Sequence, residues 1–474
     1  MDVLLMEPPP TNRFGNMRQF GSIGSYKASI AYPPIDLMKI AGYLRRFGRE
    51  CSIYDANTLK STVSEVMDRI DREAPRLLVF TTSTTTIRKD MVLMEKAKEK
   101  DRDIIIATFG AHLKGAPFQS LLEHPCLDVA IYGDPEYVVR ALVETEYDLN
   151  KVGGICFRRG GDLIRNPSHP EVLNLDEYGI AAHDLVDPSL YHDPFARRSP
   201  LTITYGQVGC TNQCVYCMST LYGKLRTRTV PHFLEELKFV ERLGFKEVFF
   251  IDCGFTNQKA WTDDLLNAMV KSSLDLTWWC LSRADRLTAQ MLSKMKDAGC
   301  HSVGVGVESA SARILKNIKK NIQIEQVRKA IHLTHKAGLR ILLYFQFGLP
   351  GETKETMEET LRFALQSGAD LVTFGIATPV PGTSFYDFIE SQGFFTTSDW
   401  NLFDPTLKPV YEYPDLTSNE IFEFSKKAYR EFYMRPSFIL SKFLKQRSLR
   451  DLRTNASNFL LLLRKVSEKT TTMP

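Results

Sequence analysis

Short apolar runs recur along the first third of the chain, at 3–6 (VLLM), 51–54 (CSIY), 77–81 (LLVFT), 104–108 (IIIAT) and 129–132 (VAIY). Between them lie amphipathic stretches at 35–47, 62–74, 88–100, 116–123 and 136–144. Five strand–helix repeats of this kind predict a parallel, doubly wound sheet over residues 1–150. Each strand runs into a loop of small or polar residues, namely EPPP, DAN, TSTTT, FGAHLKG and GDPE. In open α/β sheets the ligand crevice is built at that carboxyl end, so these loops are its expected lining. The rhythm breaks over 151–200, where GGICFRRGGDLIRNPSHP reads as a hairpin followed by a Pro- and Asp-studded linker.

A second, longer period begins at 201. Strands are expected at 201–205 (LTITY), 247–251 (EVFFI), 277–282 (TWWCLS), 302–307 (SVGVGV), 341–347 (ILLYFQF) and 371–377 (LVTFGIA), each followed by a helical segment. Six units are two short of a closed eight-fold barrel, so residues 201–400 read as a partial TIM-type barrel with its chemistry at the C-terminal ends of the strands. Residues 401–474 turn helical. Ser418 ahead of Glu420 and Ile421 marks the start of that helical run with a capping box.

Charge and composition narrow the class. Sixty Lys and Arg against 56 Asp and Glu leave +4, too mild to argue for nucleic acid. Residues 426–474 hold twelve basic residues against three acids, so the excess sits in the C-terminal region. Phe438, Ile439, Leu440, Phe443, Leu444 and 459–463 supply that region with apolar positions. Two readings follow, an amphipathic helix at an anionic membrane surface or a helix packed on the barrel. The start MDVLLMEPPP lacks the basic and apolar regions of a signal peptide, and no apolar run reaches a membrane span. A cytoplasmic enzyme, possible membrane contact through the tail aside, is the expected setting.

Of nine cysteines, Cys210, Cys214 and Cys217 fall within eight positions, on the loop after the first barrel strand. A reducing compartment and a metal role fit this pattern better than disulfides. Three chemistries are open: ordinary half-buried cysteines, zinc completed by His232, or a four-iron cluster with one iron left for another ligand.

Cys-x3-Cys-x2-Cys in this place resembles the radical S-adenosylmethionine superfamily, in which the open iron takes the amino and carboxylate groups of S-adenosylmethionine. FFIDCGFT, LSRADRL, GVGVESAS, FGLPGET and TPVPGTSFY match the family's strand-end motifs in order. The resemblance implies Tyr216 near the adenine, Glu308 at the ribose hydroxyls, Asp252 and Arg283 as strand-end cofactor contacts, and Gly348 and Gly351 as the backbone pocket beside the adenine. Paired acids are common in the family where this chain has Asp252 and Cys253. An electron donor such as flavodoxin or ferredoxin is implied as well.

The first domain looks like that of the cobalamin-binding subclass. No G-x-G-x-x-G follows its first strand, which weakens a dinucleotide reading. By resemblance, Pro8, Thr81, Ser83, Thr84, Gly110, His112, Gly133 and Glu136 contact cobalamin, with the threonine run 81–86 as a floor under the corrin. GAHLKG resembles the D-x-H-x-x-G signature of a cobalt-ligating histidine, but Gly110 stands where an acid orients the imidazole, and the segment follows the fourth strand rather than the first. His112 is therefore a cobalt ligand, a loop residue near the cofactor, or a structural histidine. The implied activity is methylation of an unactivated carbon in a small molecule, a lipid among the options. Cyclisation or ring rearrangement with the same cofactors is the alternative.

Overall fold

The computed structural model describes residues 2–19, 23–26, 30–169, 172–436 and 438–440. The tail positions Phe443, Leu444 and 459–463 lie outside the described residues.

Strands β1 (Val3–Glu7), β2 (Cys51–Asp55), β3 (Leu77–Thr81), β4 (Ile105–Phe109), β5 (Val129–Ile131), β6 (Ile155–Arg159) and β7 (Asp162–Arg165) form one sheet in the order β2-β1-β3-β4-β5-β6-β7. The first five are parallel, and β6 and β7 join antiparallel at the edge. The hairpin expected in the linker thus extends the first sheet, because β5 offers an open edge that β6 pairs residue for residue. β1 and β3 are buried along their whole length and apolar up to their last residues, Glu7 and Thr81, as strands covered by helices on both faces must be.

The second sheet runs β15-β14-β13-β12-β11-β8, all parallel, from β8 (Leu201–Thr204), β11 (Glu247–Phe250), β12 (Thr277–Ser282), β13 (Cys300–Glu308), β14 (Arg340–Phe347) and β15 (Leu371–Ile376). A two-stranded ribbon, β9 (Gln207–Val208) with β10 (Arg226–Thr227), brackets the cysteine loop. Ile203, Phe249 and Trp279 stand in one row across three strands, and the last two rings stack at 3.6 Å. Ile35, Met38 and Tyr43, from the first helix of the first domain (Ile35–Arg46), belong to the same buried cluster. The open side of the partial barrel is therefore closed by the neighbouring domain rather than by more strands.

The last described helix, Ser418–Tyr433, is capped by Thr417, whose side chain and Glu420 form the box. The start expected at Ser418 moves back one residue because the reciprocal bonds require Glu three positions after the cap. Beyond it Phe438 packs on Phe432 and Tyr433, whereas Ile439 and Leu440 are exposed. No helix among the described residues is long and apolar enough to cross a membrane.

Candidate active site at the domain interface

The cysteine loop is fixed from below. Asp252, at the end of β11, accepts hydrogen bonds from the backbone N–H of Gly206 (3.0 Å) and Gln207 (2.7 Å), so it holds the turn that launches the loop. Burial pushes its carboxyl up to about 7, and its other oxygen has no partner. Cys210 Sγ accepts from the Asn212 backbone at 3.4 Å and from Asn257 Nδ2 at 3.5 Å, and Cys217 Sγ lies 3.0 Å from Ser219 Oγ. The backbone of Cys214 is followed by a Val215 N–H donated to Ile318, and Cys214 Sγ sits 3.8 Å from the Lys319 carbonyl. Burial raises the Cys214 thiol to about 11, against the pull of Lys320. Among the described residues no His, Cys, Asp or Glu group gathers around a single ion.

His232 lies elsewhere, within 3.2 Å of Asp176 and accepting from Arg228, which removes it as the fourth ligand of a zinc site. Donors converging on sulfur, with a buried lysine beside them and no acid in the loop, fit an anionic iron–sulfur cluster.

Glu308 ends β13 with φ +71°, a left-handed backbone that a bulky residue adopts only when held. Lys320 Nζ holds it, 2.9 Å from Oε1 and 3.4 Å from Tyr216 Oη. A Cβ on Gly306 would come within 2.4 Å of that carboxylate oxygen, so glycine makes room for the pair. Oε2 of Glu308 is buried without a partner, the mark of an acceptor awaiting donors such as vicinal hydroxyls. Lys320 escaped the sequence reading, since a Lys-Lys pair twelve residues past Glu308 carries no periodic signal. Arg283 pairs with Asp285 at 3.0 Å and donates to the Lys320 carbonyl at 2.9 Å, so it props the same turn. Gly348 and Gly351 both have positive φ. The Gly348 carbonyl receives Tyr411 Oη (2.7 Å) and Tyr413 Oη (2.9 Å), and Glu352 takes the N–H of Leu349 at 3.1 Å.

A cleft with about 710 Å³ of empty space, part of it open to solvent, lies between the ends of β4 and β5 and the barrel's first strand. Gly110, Gly133 and Glu136 line it from the first domain, Tyr205 and Val208 from the barrel. Lys39 and Lys114 add donors, Asp36 and Asp134 acceptors. Burial, reinforced by Asp134, raises the Glu136 carboxyl to about 7, and burial with Arg228 nearby lowers Lys39 to about 8. Alternating donors and acceptors of this kind suit the amide-fringed rim of a corrin. Pro8, Thr81, Ser83, Thr84 and His112 are not among the lining residues. The run 81–86 is buried, with Ser83 Oγ 3.2 Å from Thr86 Oγ1 and Thr82 donating to Asp90 at 2.8 Å, while Thr81 Oγ1 is buried without a partner. His112 is buried edge-on to Trp400, with Nδ1 3.1 Å from Thr84 Oγ1, and burial lowers its pKa to about 3.

One carboxylate ties the halves together. Glu236, on the barrel helix Val230–Arg242, meets Arg228 at 2.8 Å, Lys39 of the first domain at 3.4 Å and the Ala181 N–H of the linker at 3.1 Å. Burial alone would raise its pKa, but Arg228 and Lys39 hold it well below the carboxylate range. This hub had no sequence signal, because its members lie 39, 181, 228 and 236 residues along the chain.

Residues 204–364 match the model of the Radical SAM superfamily, and 26–143 that of the B12 binding domain. An uncharacterized methyltransferase of Pyrococcus horikoshii, PH0819, is 30% identical over 446 residues, covering 93% of this chain and 94% of the relative. The chain belongs to the cobalamin-binding radical S-adenosylmethionine family. As a member it is an enzyme whose cofactors are a 4Fe–4S cluster, S-adenosylmethionine and cobalamin. The anaerobic magnesium-protoporphyrin IX monomethyl ester cyclase of Rubrivivax gelatinosus is 26% identical over 439 residues, 88% of this family member and 77% of the cyclase. Among solved structures, the cobalamin-dependent S-adenosylmethionine radical enzyme OxsB shares the fold at TM-score 0.75 and 14% identity, over 98% of this chain and 72% of that one. TsrM, a radical S-adenosylmethionine methyltransferase from Kitasatospora setae, shares it at TM-score 0.66 and 16% identity, over 82% and 76%.

Proposed function

We propose that the protein methylates an unactivated carbon of a small molecule. One observation carries the reading: the polar cleft at the ends of β4 and β5 opens onto Val208, two residues before the first cysteine of the trio. When bound, the cluster with S-adenosylmethionine supplies a 5′-deoxyadenosyl radical that takes a substrate hydrogen, and cobalamin supplies the methyl group.

The chain's own residues do the positioning. Cys210, Cys214 and Cys217 would hold the cluster. Glu308 would present its free oxygen to the ribose hydroxyls, while Lys320, bonded to its other oxygen, would offer a cation to the carboxylate of the methionine part. Tyr411 and Tyr413 fix the loop at Gly348 against which the adenine rests. Glu136 would face amides at the corrin rim, with Lys114 beside it on the carbonyls of Tyr132 and Gly133. A one-electron donor such as flavodoxin or ferredoxin supplies the reducing equivalent.

Anaerobic turnover with both cofactors tests this. Product heavier by one CH2 together with 5′-deoxyadenosine supports methyl transfer. If 5′-deoxyadenosine forms while the product gains no mass, the second reading holds: ring formation or rearrangement, favoured by the cyclase's likeness over most of the chain. Contact with an anionic membrane is a separate proposal, carried by exposed Ile439 and Leu440 beside the basic tail. Equal vesicle co-sedimentation of the full chain and one ending at residue 440 would remove the tail from it.

A further inference from the structure

The charges around the cysteine loop are one-sided. From residue 209 to 234 the chain has no Asp or Glu, and from 309 to 324 none again, in a sequence whose charges otherwise nearly balance. The two segments touch: Val215 donates its N–H to the Ile318 carbonyl, and the Lys319 carbonyl is 3.8 Å from Cys214 Sγ. Of their seven Lys and Arg residues, Arg226, Arg228 and Lys320 are buried and engaged with Asp134, Glu236 and Glu308. The other four, Lys224, Arg313, Lys316 and Lys319, are exposed and enter no ion pair among the described residues. Two acids act on Arg313, Glu352 and Glu355. Lys319 and Asn321 both adopt left-handed backbone, φ +53° and +52°, so the turn bearing Lys319, just after the helix Ala312–Asn317 that carries Arg313 and Lys316, is folded tightly against the loop.

We infer that Lys224, Arg313, Lys316 and Lys319 form the docking surface for an acidic one-electron carrier protein. The inference rests on the radical reading above, since only a cluster that must be reduced needs such a partner. Unpaired surface cations steer an acidic partner and fix its orientation, and a carrier seated here stands against the turn whose backbone touches a ligating sulfur. One electron leaves the reduced carrier and enters the cluster, and no bond forms or breaks in the step. Lys224, Lys316 and Lys319, exposed and in no ion pair among the described residues, are otherwise an unexplained run of like charge beside the cysteine loop.

The test uses the reconstituted full chain and reduced flavodoxin as the probe. In the variant K224E/K316E/K319E, flavodoxin affinity at low ionic strength is expected to fall tenfold or more, and the rate at which flavodoxin reduces the cluster to fall with it. Bound iron and reduction by dithionite, which needs no docking, are expected to stay as in the parent. Carbodiimide cross-links are expected between flavodoxin and Lys316 or Lys319, and to disappear at high salt. The milder K316Q/K319Q variant is expected to show the same direction. Unchanged affinity and reduction rate in the charge reversal, or cross-links mapping to another face, would overturn the assignment. A parent protein that binds no iron, or that dithionite cannot reduce, would instead overturn the radical reading and the surface with it.

Discussion

Lys320 shows how much of the site rests on single side chains. Among the described residues it is the one cation bonded to Glu308, and removing it leaves a buried carboxylate without its partner, the costly half of any buried pair. Lys320→Met is expected to weaken S-adenosylmethionine binding by about tenfold to a hundredfold, with bound iron unchanged, and Lys320→Arg to recover part of it. Equilibrium dialysis alongside iron analysis checks both. The cysteines were legible from the sequence because three ligands on one loop are a local pattern. Lys320 was not, because its place beside Glu308 depends on a turn whose left-handed residues bring it back over twelve positions. The threonine run is divided: the hydroxyls of Thr82, Ser83 and Thr86 bond one another and Asp90, Thr84 meets His112, and Thr81 Oγ1 is buried without a partner.

At the scale of elements, the strands could be read in order, since short apolar runs with regular helical spacers have few other solutions. What escaped was pairing across distance. β6 adding to the edge of β5 is a tertiary choice that no local pattern announces, and the start at Thr417 turns on one reciprocal hydrogen bond. The loop after β14 offers a sharper case. A Cβ on Gly348 would stand 2.4 Å from Tyr411 Oη, with φ at +83°. Its glycine therefore serves the tyrosine clamp from the C-terminal segment as much as any ligand. Gly348→Ala is expected to cost about 1–3 kcal/mol from overpacking, with left-handed strain added, and to lower the melting temperature by several degrees. Calorimetry of the variant beside the parent decides it.

For the whole molecule, buried charge between the halves sets the response to pH. Glu136 titrates near 7 in the folded chain against an ordinary 4.5, so folding binds its proton more tightly than the unfolded chain does. Its contribution is therefore lost as pH rises from about 4.5 through 7. Glu136→Gln removes that loss, and the variant is expected to gain about 1–3 kcal/mol on the parent between pH 5 and pH 8. Lys39 has the opposite sign but acts above about 8, outside that window. Denaturant unfolding at the two pH values measures the difference. Glu236→Gln keeps the shape of the hub yet strands Lys39 and Arg228, and is expected to destabilise by about 3–5 kcal/mol in the same assay. The hub also bears on ancestry and engineering. A chain that completes one half's carboxylate with the other half's lysine cannot trade its cobalamin module for a relative's as a cassette. Any recombinant that does not bring in a lysine at the position of 39 inherits an unbalanced seam, so viable chimeras should be those in which both faces travel together.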